Sequence, residues 1–456
     1  MSYKIKILIV LAVISIAACN KKLDVEPQNT ITPDQIKTAD DIKAVLFGGY
    51  STFQNANAMG EKYNTFSELL INDNDINWVG TYSDYDDLAT KGEVTTTTSI
   101  YEVWANSYHT INVANIVLSK LDVLSADEKD AIEGEAKFFR GAAYYYLVNF
   151  YAIPYSAGST SSNPGVPLIL EPVEGYVPSR DKLPRASVEA VYAQIVADLQ
   201  DAATKMPETA DNGRATKYSA LGFLSRVYLS MAKYPEAADA ANTVIESGEF
   251  ALNTTFDKAF NNATNSPEDV FAIQQTSQSN SGTSNFGMTT FYSAQPTGRG
   301  DIQITDEHIA KYEAGDDRGA FFYAGSSING NDGMLTSKWK DIFKAIPIIR
   351  LAEMYLTRAE ANFRKGGTAT GPNTALDDVN VIRDRAGLSS LGSISDASVI
   401  VNERYLELAF EGERIFTVKR LQLTVEGRPY SDPKLILPIP QREIDLGNSL
   451  PQNGGY

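Results

Sequence analysis

Apolar residues recur at helical spacing along most of this chain. Between Asp40 and Phe53 they fall at positions 42, 45, 46, 49–50 and 53, which predicts an amphipathic helix. Ile100, Val103, Trp104, Tyr108, Ile111, Ala114, Ile116 and Leu118 continue the pattern over 99–121. A longer helix is predicted over 125–151, with Ser125 as N-cap and Glu128 at capping-box spacing. Its second half, from Phe138 to Leu147, alternates bulky with small residues, so that a neighbouring helix can approach while the rings fill the gaps.

Two later segments read as helix pairs. In 216–248, Leu221, Leu224, Ser225 and Tyr228 mark one helix, Lys233-Tyr234-Pro235 a turn, and Ala237, Ala241 and Val244 the next. Large and small packing residues facing alanines are similar to a tetratricopeptide repeat. In 348–386, Leu351, Ala352, Tyr355 and Ala359 are followed by Ala375, Leu376, Val379 and Ile382. Such units bury their apolar faces by stacking, so a stacked helical half is expected. Thr216 is placed to cap a helix. Residues 54–98, 152–185 and 251–345 are rich in Asn, Asp, Ser, Thr, Gly and Pro and read as irregular. Val270–Ile273 and Leu435–Leu437 are predicted as short strands. The fold class is mainly α, with stacked tetratricopeptide-like helix pairs, a large loop-rich half and small β elements.

The first residues set the compartment. Lys4 and Lys6 precede a short apolar run, 7–16, then Ala17, Ala18 and Cys19. That is a signal-peptide pattern, and its Ile-Ala-Ala-Cys ending resembles the bacterial lipoprotein box. Residues 1–18 are then the signal peptide, Cys19 the lipidated first residue, and 19–38 a flexible leash. Several acyl chains on one residue would anchor the protein firmly to a membrane face.

The 456 residues are 43% apolar and carry 40 Lys plus Arg against 57 Asp plus Glu, a formal charge of -17. That balance, without a polybasic run, repels phosphate backbones and excludes nucleic acid as a partner. Cys19 is the only cysteine, and the two histidines, His109 and His308, are far apart in sequence, which disfavours Cys- or His-based metal sites. His109, inside a predicted helix, is expected to pack. No cofactor is implied.

Further motifs follow in order along the chain. They are Leu23-Asp24-Val25-Glu26-Pro27, Glu133-Gly134-Glu135-Ala136-Lys137-Phe138-Phe139-Arg140, Gly165-Val166-Pro167-Leu168 and Pro184-Arg185-Ala186-Ser187. After Gly213-Arg214-Ala215-Thr216 come Ile349-Arg350-Leu351-Ala352-Glu353, Arg383 with Arg385-Ala386-Gly387-Leu388, and the run from Glu403 to Arg414. Behind a lipoprotein box, this series resembles the SusD/RagB outer-membrane lipoproteins over nearly the whole length. The ending Asn453-Gly454-Gly455-Tyr456 departs from the family's usual Asn-Pro-Gly-Tyr, and Thr417-Val418 from its usual Asp-Leu. The resemblance implies a SusD-like N-terminal helical region over 39–250 and a C-terminal region over 251–456, packed as one body. It also implies a lipid-anchored position on the cell-surface face of the outer membrane. There such a protein captures a nutrient, usually a glycan, for a SusC-like TonB-dependent transporter, without enzymatic activity. Capture of peptides or other non-glycan nutrients is the alternative, and glycoside hydrolysis a more distant one.

A glycan offers C–H faces to rings and hydroxyls to carboxylates and amides. Asn77, Trp78, Tyr82 and Tyr85 in one loop, and Phe291, Tyr292 and Arg299 in another, supply that mixture and are the candidate ligand-binding residues. Packing of these rings onto the scaffold is the competing account, and Trp78→Ala is expected to weaken binding at a nearly unchanged melting temperature. Asp73, Asp75, Asn77 and Asp84 sit at calcium-loop offsets and are weak metal candidates. Trp78 stands where such a loop needs glycine, so a solvated acidic loop is the better account. Glu403, Glu407 and Glu411 are spaced by four and read as ion-paired at helical spacing with Arg404 and Arg414 rather than catalytic.

Overall fold

The computed structural model describes residues 35–173, 183–447 and 450–456; the signal peptide, Cys19 and most of the expected leash lie outside the described residues. The first half of the chain supplies α1 (Ala39–Gln54), α2 (Lys62–Leu70), β1 (Ile76–Trp78), α3 (Ser83–Thr90), α4 (Thr98–Leu118), α5 (Ala126–Tyr151), α6 (Val188–Lys205), α7 (Lys217–Ser230) and α8 (Tyr234–Ile245). The second supplies β2 (Asp269–Ile273), α9 (Met288–Tyr292), β3 (Ile302–Ile304), α10 (Asp306–Ile309), β4 (Phe322–Ser326), β5 (Asp332–Thr336), β6 (Ile346–Arg350), α11 (Leu351–Lys365), α12 (Ala375–Arg385), α13 (Ala397–Glu407), α14 (Arg414–Leu421) and α15 (Gln441–Asp445).

Local chemistry starts the helices where the apolar spacing begins. Thr38 and Asp41 form a reciprocal capping box on α1, and Thr216 does the same with Ser219 on α7. Pro235 in the first turn of α8 needs no amide hydrogen there. Ser125 precedes α5 as expected, but its hydroxyl donates to the Glu128 carboxylate (2.7 Å) instead of accepting a backbone amide. The expected capping box is therefore incomplete.

The helices stack in sequence. α1 packs on α4, α4 on α5, α5 on α6, α6 on α7, α7 on α8, α8 on α11, and α11 on α12 and α13. Each helix covers the apolar stripe of the previous one, as in a solenoid. The small residues of α5 let α6 approach closely. A Cβ on Gly141 would lie 2.9 Å from Leu199 Cγ, and one on Gly134 2.7 Å from Met206 Cγ. Gly141→Val is expected to cost about 1–3 kcal/mol through overpacking, read by urea denaturation at constant m. Wild-type stability would show that α6 can retreat freely.

Beside the stack, β1, β3, β5 and β4 form an antiparallel sheet in that order, with Trp78 opposite Ile302 and Asn77 opposite Gln303. β2 and β6 form a second, two-stranded sheet with bulged register. Arg185 fastens the irregular segment after α5. Its guanidinium donates to the carbonyls of Gly165, Pro164 and Tyr151 and to Pro451 and Asn453 near the C-terminus.

Several expectations are corrected. Residues 54–98 are not irregular: they contain α2, β1 and α3. All nine residues of α2 are buried, so no polar face exists to give a periodic signal. Leu435–Leu437 is not a strand, and Leu437 donates its amide to Phe150 O (2.8 Å). His109 is exposed on α4 rather than packed. Glu403, Glu407 and Glu411 do not pair at helical spacing, because α13 ends at Glu407 and their partners come from distant segments. Glu403 meets Arg318 (2.6 Å) and Arg383 (3.3 Å), Glu407 meets Arg350 (3.0 Å) and Arg385, and Glu411 meets Arg350 (2.7 Å) and Lys338 (2.6 Å). Arg404 turns instead to Glu353 and Glu413.

Candidate functional site

The loop from Asn72 to Tyr82 is shaped by its own side chains. Asn72 Oδ1 accepts the amides of Asp75 (2.9 Å) and Ile76 (3.1 Å), turning the chain into β1. Val79 donates to Asp301 O (2.8 Å), which carries the β1–β3 pairing past Trp78. Gly80 then passes so close that a Cβ would lie 2.4 Å from the Trp78 ring and 2.8 Å from the Asp301 carboxyl carbon. Only glycine fits there without displacing both groups. Asp84 accepts the amide of Ser99 (2.9 Å), tying α3 to the start of α4.

Four of the expected rings come together. Trp78 stacks on Tyr85 at 5.2 Å and 14°, and Tyr85 lies 4.8 Å from Phe291. Tyr82 sits 5.9 Å from Tyr85 and 6.0 Å edge-on from Phe291. Tyr85 and Phe291 are buried and form the floor; Trp78 and Tyr82 are half-buried. Arg299 covers the Tyr82 ring at 4.8 Å, within cation–π range. Its Nε donates to Asp301 Oδ2 (2.6 Å) and its Nη2 to Thr81 Oγ1 (3.0 Å). Asn77 is exposed at the edge.

Trp78 Nε1 and Asp301 Oδ1 are buried without a hydrogen-bond partner. Burial raises the pKa of Asp301, against the pull of Arg299. Below the floor, Tyr85 hydrogen-bonds Glu61, which also accepts the Gly287 amide (3.0 Å). Burial pushes the Glu61 carboxyl up to about 6, against the opposing effects of Lys62 and the Tyr85 hydroxyl.

Tyr292 leaves the group. Its hydroxyl donates to Asn64 Oδ1 (3.1 Å) and its ring faces Phe410, because adjacent residues on the short α9 point apart. The calcium-loop positions also disperse. Asp73 accepts the Glu426 amide (2.8 Å), Asp84 holds Ser99, and Asp75 lies 3.0 Å from His308 Nδ1 and bonds Lys311 and Tyr405. Burial would raise the Asp75 pKa, but the hydrogen bonds from His308, Lys311 and Tyr405 outweigh it and hold the carboxyl well below its ordinary value. No group of three or more His, Cys, Asp or Glu placed to hold a metal occurs among the described residues.

Trp78 is more than a surface ring. It stacks on buried Tyr85 and packs against the core, so Trp78→Ala removes structural contacts and the expected unchanged melting temperature does not follow. Residues that the sequence did not single out complete the rim. Asn285 Oδ1 accepts the Tyr82 hydroxyl (3.0 Å), and Phe286 beside it is 45% exposed. Ile328 is 48% exposed and donates its amide to Arg299 O (2.6 Å). Phe286 had one available signal, as the only aromatic in the Ser/Asn/Gly stretch 274–287.

The structure is thus a stack of paired helices, of the repeat-scaffold class, carrying a loop-built face of rings, amides and a guanidinium. The family SusD-like, described as starch-binding associating with outer membrane, matches residues 21–229, and the SusD family (SusD_RagB) matches 331–431. By these two matches the chain belongs to the SusD/RagB family, and the first of them is the one described as starch-binding and associating with the outer membrane. It is 26% identical to the SusD-like protein P2 of Formosa agariphila, covering 99% of this chain and 100% of that protein. It is also 32% identical over 180 residues to the starch-binding protein SusD of Bacteroides thetaiotaomicron, 31% of each chain. A SusD superfamily structure from Bacteroides thetaiotaomicron superposes with a TM-score of 0.81 at 24% identity, covering 91% of this chain and 99% of that one. Another from Bacteroides vulgatus gives 0.80 at 21% identity, covering 92% and 99%. Among the described residues, no helix is long and apolar enough to cross a membrane.

Proposed function

We propose that this protein captures a glycan at the Trp78–Tyr82–Arg299 face and hands it to a SusC-like TonB-dependent transporter, held on the outer face of the outer membrane by lipidated Cys19. The observation that carries the reading is the Tyr82 ring, half-open above a buried aromatic floor and flanked by Arg299 and Asn285. A ring in that position offers a stacking surface to a sugar's C–H face, and the surrounding amides and guanidinium offer hydrogen bonds to its hydroxyls. The unpartnered Trp78 Nε1 and Asp301 Oδ1 are a spare donor and a spare acceptor beside it. The family's starch-binding description supports the ligand class. Capture needs no covalent step, and Asp301 at this face is tied up by Arg299 rather than paired with a second carboxylate at glycosidase spacing.

Tyr82→Ala tests the reading more cleanly than a change at Trp78, because Tyr82 meets Tyr85 tilted and Phe291 edge-on, whereas Trp78 stacks face-to-face on Tyr85. Calorimetric titration with maltoheptaose, preceded by a glycan array, should show at least tenfold weaker binding for Tyr82→Ala, with the melting temperature within about 2 °C of wild type. Unchanged affinity for every glycan that the wild type binds would remove this face from the site.

A further inference from the structure

Away from the Tyr82 face, the molecule carries a second concavity. A hollow of about 590 Å³ opens between the α6–α7 loop, the segment after α8, the loop before β2 and the residues after it. Its wall includes Phe250, Asn265, Asp269, Gln274 and Arg214. A smaller hollow of about 230 Å³ adjoins it, shares Asn212, Gly213, Arg214 and Gln274, and is lined by Phe47. The divide between them is thin because Gly213 has φ +68° and a Cβ there would lie 2.5 Å from Gln274 Cγ.

The lining has a definite chemistry. Phe47 is 56% exposed, with the Arg214 guanidinium 5.7 Å from its ring centroid, and Phe250 stands edge-on to Tyr218 at 5.7 Å. Each hollow thus has an aromatic ring. The fixed cation is neutralised, since Arg214 is paired with buried Glu135. Gln274, on the wall of both hollows, donates its side-chain amide to Asn265 and to Ala272 O, and its backbone carbonyl accepts from Gln54 Nε2 (2.6 Å), so its side-chain Oε1 is the acceptor these bonds do not use. Asp269 is only 3% exposed; its Oδ2 accepts the Ser266 amide (2.7 Å), while its Oδ1 has no hydrogen-bond partner. A buried carboxyl oxygen left unpaired is costly unless something occupies it. Burial pushes the Asp269 carboxyl up to about 7, so near neutral pH it can either donate or accept.

We propose that these joined hollows form a second binding site, distinct from the Tyr82 face, for a neutral, hydroxyl-rich ligand: a run of a few sugar units. Rings at both ends suit C–H faces, amides and an unpaired carboxyl suit hydroxyls, and the paired Arg214 leaves no free cation for a phosphate or carboxylate ligand. A volume of about 590 Å³ lies within the range of small-molecule sites. The loop that starts at Gln274 ends at Asn285 and Phe286 beside Tyr82, so one segment borders both sites. The ligand class is the one proposed for the Tyr82 face, but the hollow does not depend on that face binding anything.

Thr264→Trp, on an exposed part of the wall, fills the larger hollow, and Gln274→Ala removes the dividing amide. Both are compared with Tyr82→Ala by calorimetric titration of the purified protein with maltoheptaose, cellohexaose and xylohexaose, with melting temperatures as the control for folding. Thr264→Trp and Gln274→Ala should each weaken at least one oligosaccharide tenfold or more, or remove one of two binding events. Binding lost in Tyr82→Ala yet indifferent to both hollow variants overturns the second site and leaves the capture face standing. Binding lost in the hollow variants but untouched by Tyr82→Ala supports the hollow and overturns the face. Absence of binding by all three oligosaccharides overturns both.

Discussion

Glu407→Ala is expected to destabilise the protein by about 3–5 kcal/mol, the cost of leaving buried charges without their partner. Glu407 accepts from Arg350 Nη1 (3.0 Å) and from Arg385, with Arg318 Nη1 at 3.6 Å. Glu268 bridges the same two arginines from the strand side, meeting Arg350 at 2.5 Å and Arg385 at 2.9 Å. All of these side chains are buried, so removing Glu407 leaves Arg385, Arg350 and Arg318 each one carboxylate short where water cannot replace it. Burial alone would raise the Glu407 pKa; Arg385, Arg350 and Arg318 reverse this and hold it well below its ordinary value. A carboxyl held down in this way contributes stability above its unfolded pKa and loses it as pH falls toward the folded one. Urea denaturation at pH 7 should therefore show the full deficit of Glu407→Ala, and the gap to wild type should narrow below about pH 4. A deficit under 1 kcal/mol at pH 7 would mean that Glu268 and Glu411 satisfy the arginines alone.

Glu68→Gln is expected to act in the opposite direction. Glu68 lies on the fully buried α2 and accepts the Gly412 amide (3.0 Å). Burial pushes its carboxyl up to about 8, assisted by Asp75 and opposed by the Gly412 hydrogen bond, Arg414 and Lys338. A folded pKa above the unfolded value means that the stabilisation is complete below about pH 4.5 and is lost as pH rises through 8. At about 1.4 kcal/mol per unit the loss amounts to several kcal/mol. Glutamine keeps the oxygen that Gly412 needs and never ionises. Thermal melts from pH 5 to 9 should show Glu68→Gln gaining on wild type progressively from pH 5 to about 8 and levelling off above that. A difference that stays constant with pH would rule out ionisation of Glu68 as its source.

How much of this was readable beforehand depends on which surfaces each segment covers. α1, α4, α8 and α12 bury one face, and a one-faced helix writes its period into the sequence; α5 and α7 are buried over most of their length and were legible from length and from bulky residues set among small ones. α2 is covered on every side, so it lacks that signature and reads as loop. Spacing also misled the reading of Glu403, Glu407 and Glu411. Separation by four residues is a helix-surface rule, whereas these carboxylates face inward to arginines 20 to 85 residues away in sequence.

The candidate site divides in the same way. Its residue types were visible as aromatics set among Asn, Asp and Arg in two loops. Which rings remain open was not, because openness is settled by what packs behind each ring. Phe291 and Tyr292 are consecutive, yet one floors the face under Tyr82 and the other turns to Asn64 and Phe410.

By itself, the amino-acid order determined the one-faced helices, the helix-pair repeats, the glycine-lined approach of α6 to α5 and the supply of rings and amides in the loops. These are encoded in near-neighbour spacing and in residue size. Only the tertiary structure decided the partners of the buried charges, the unpaired oxygens of Asp269 and Asp301, and the rings left facing outward. Most of those depend on segments tens to hundreds of residues apart meeting at one place, where burial removes the water that would otherwise make every polar group equivalent.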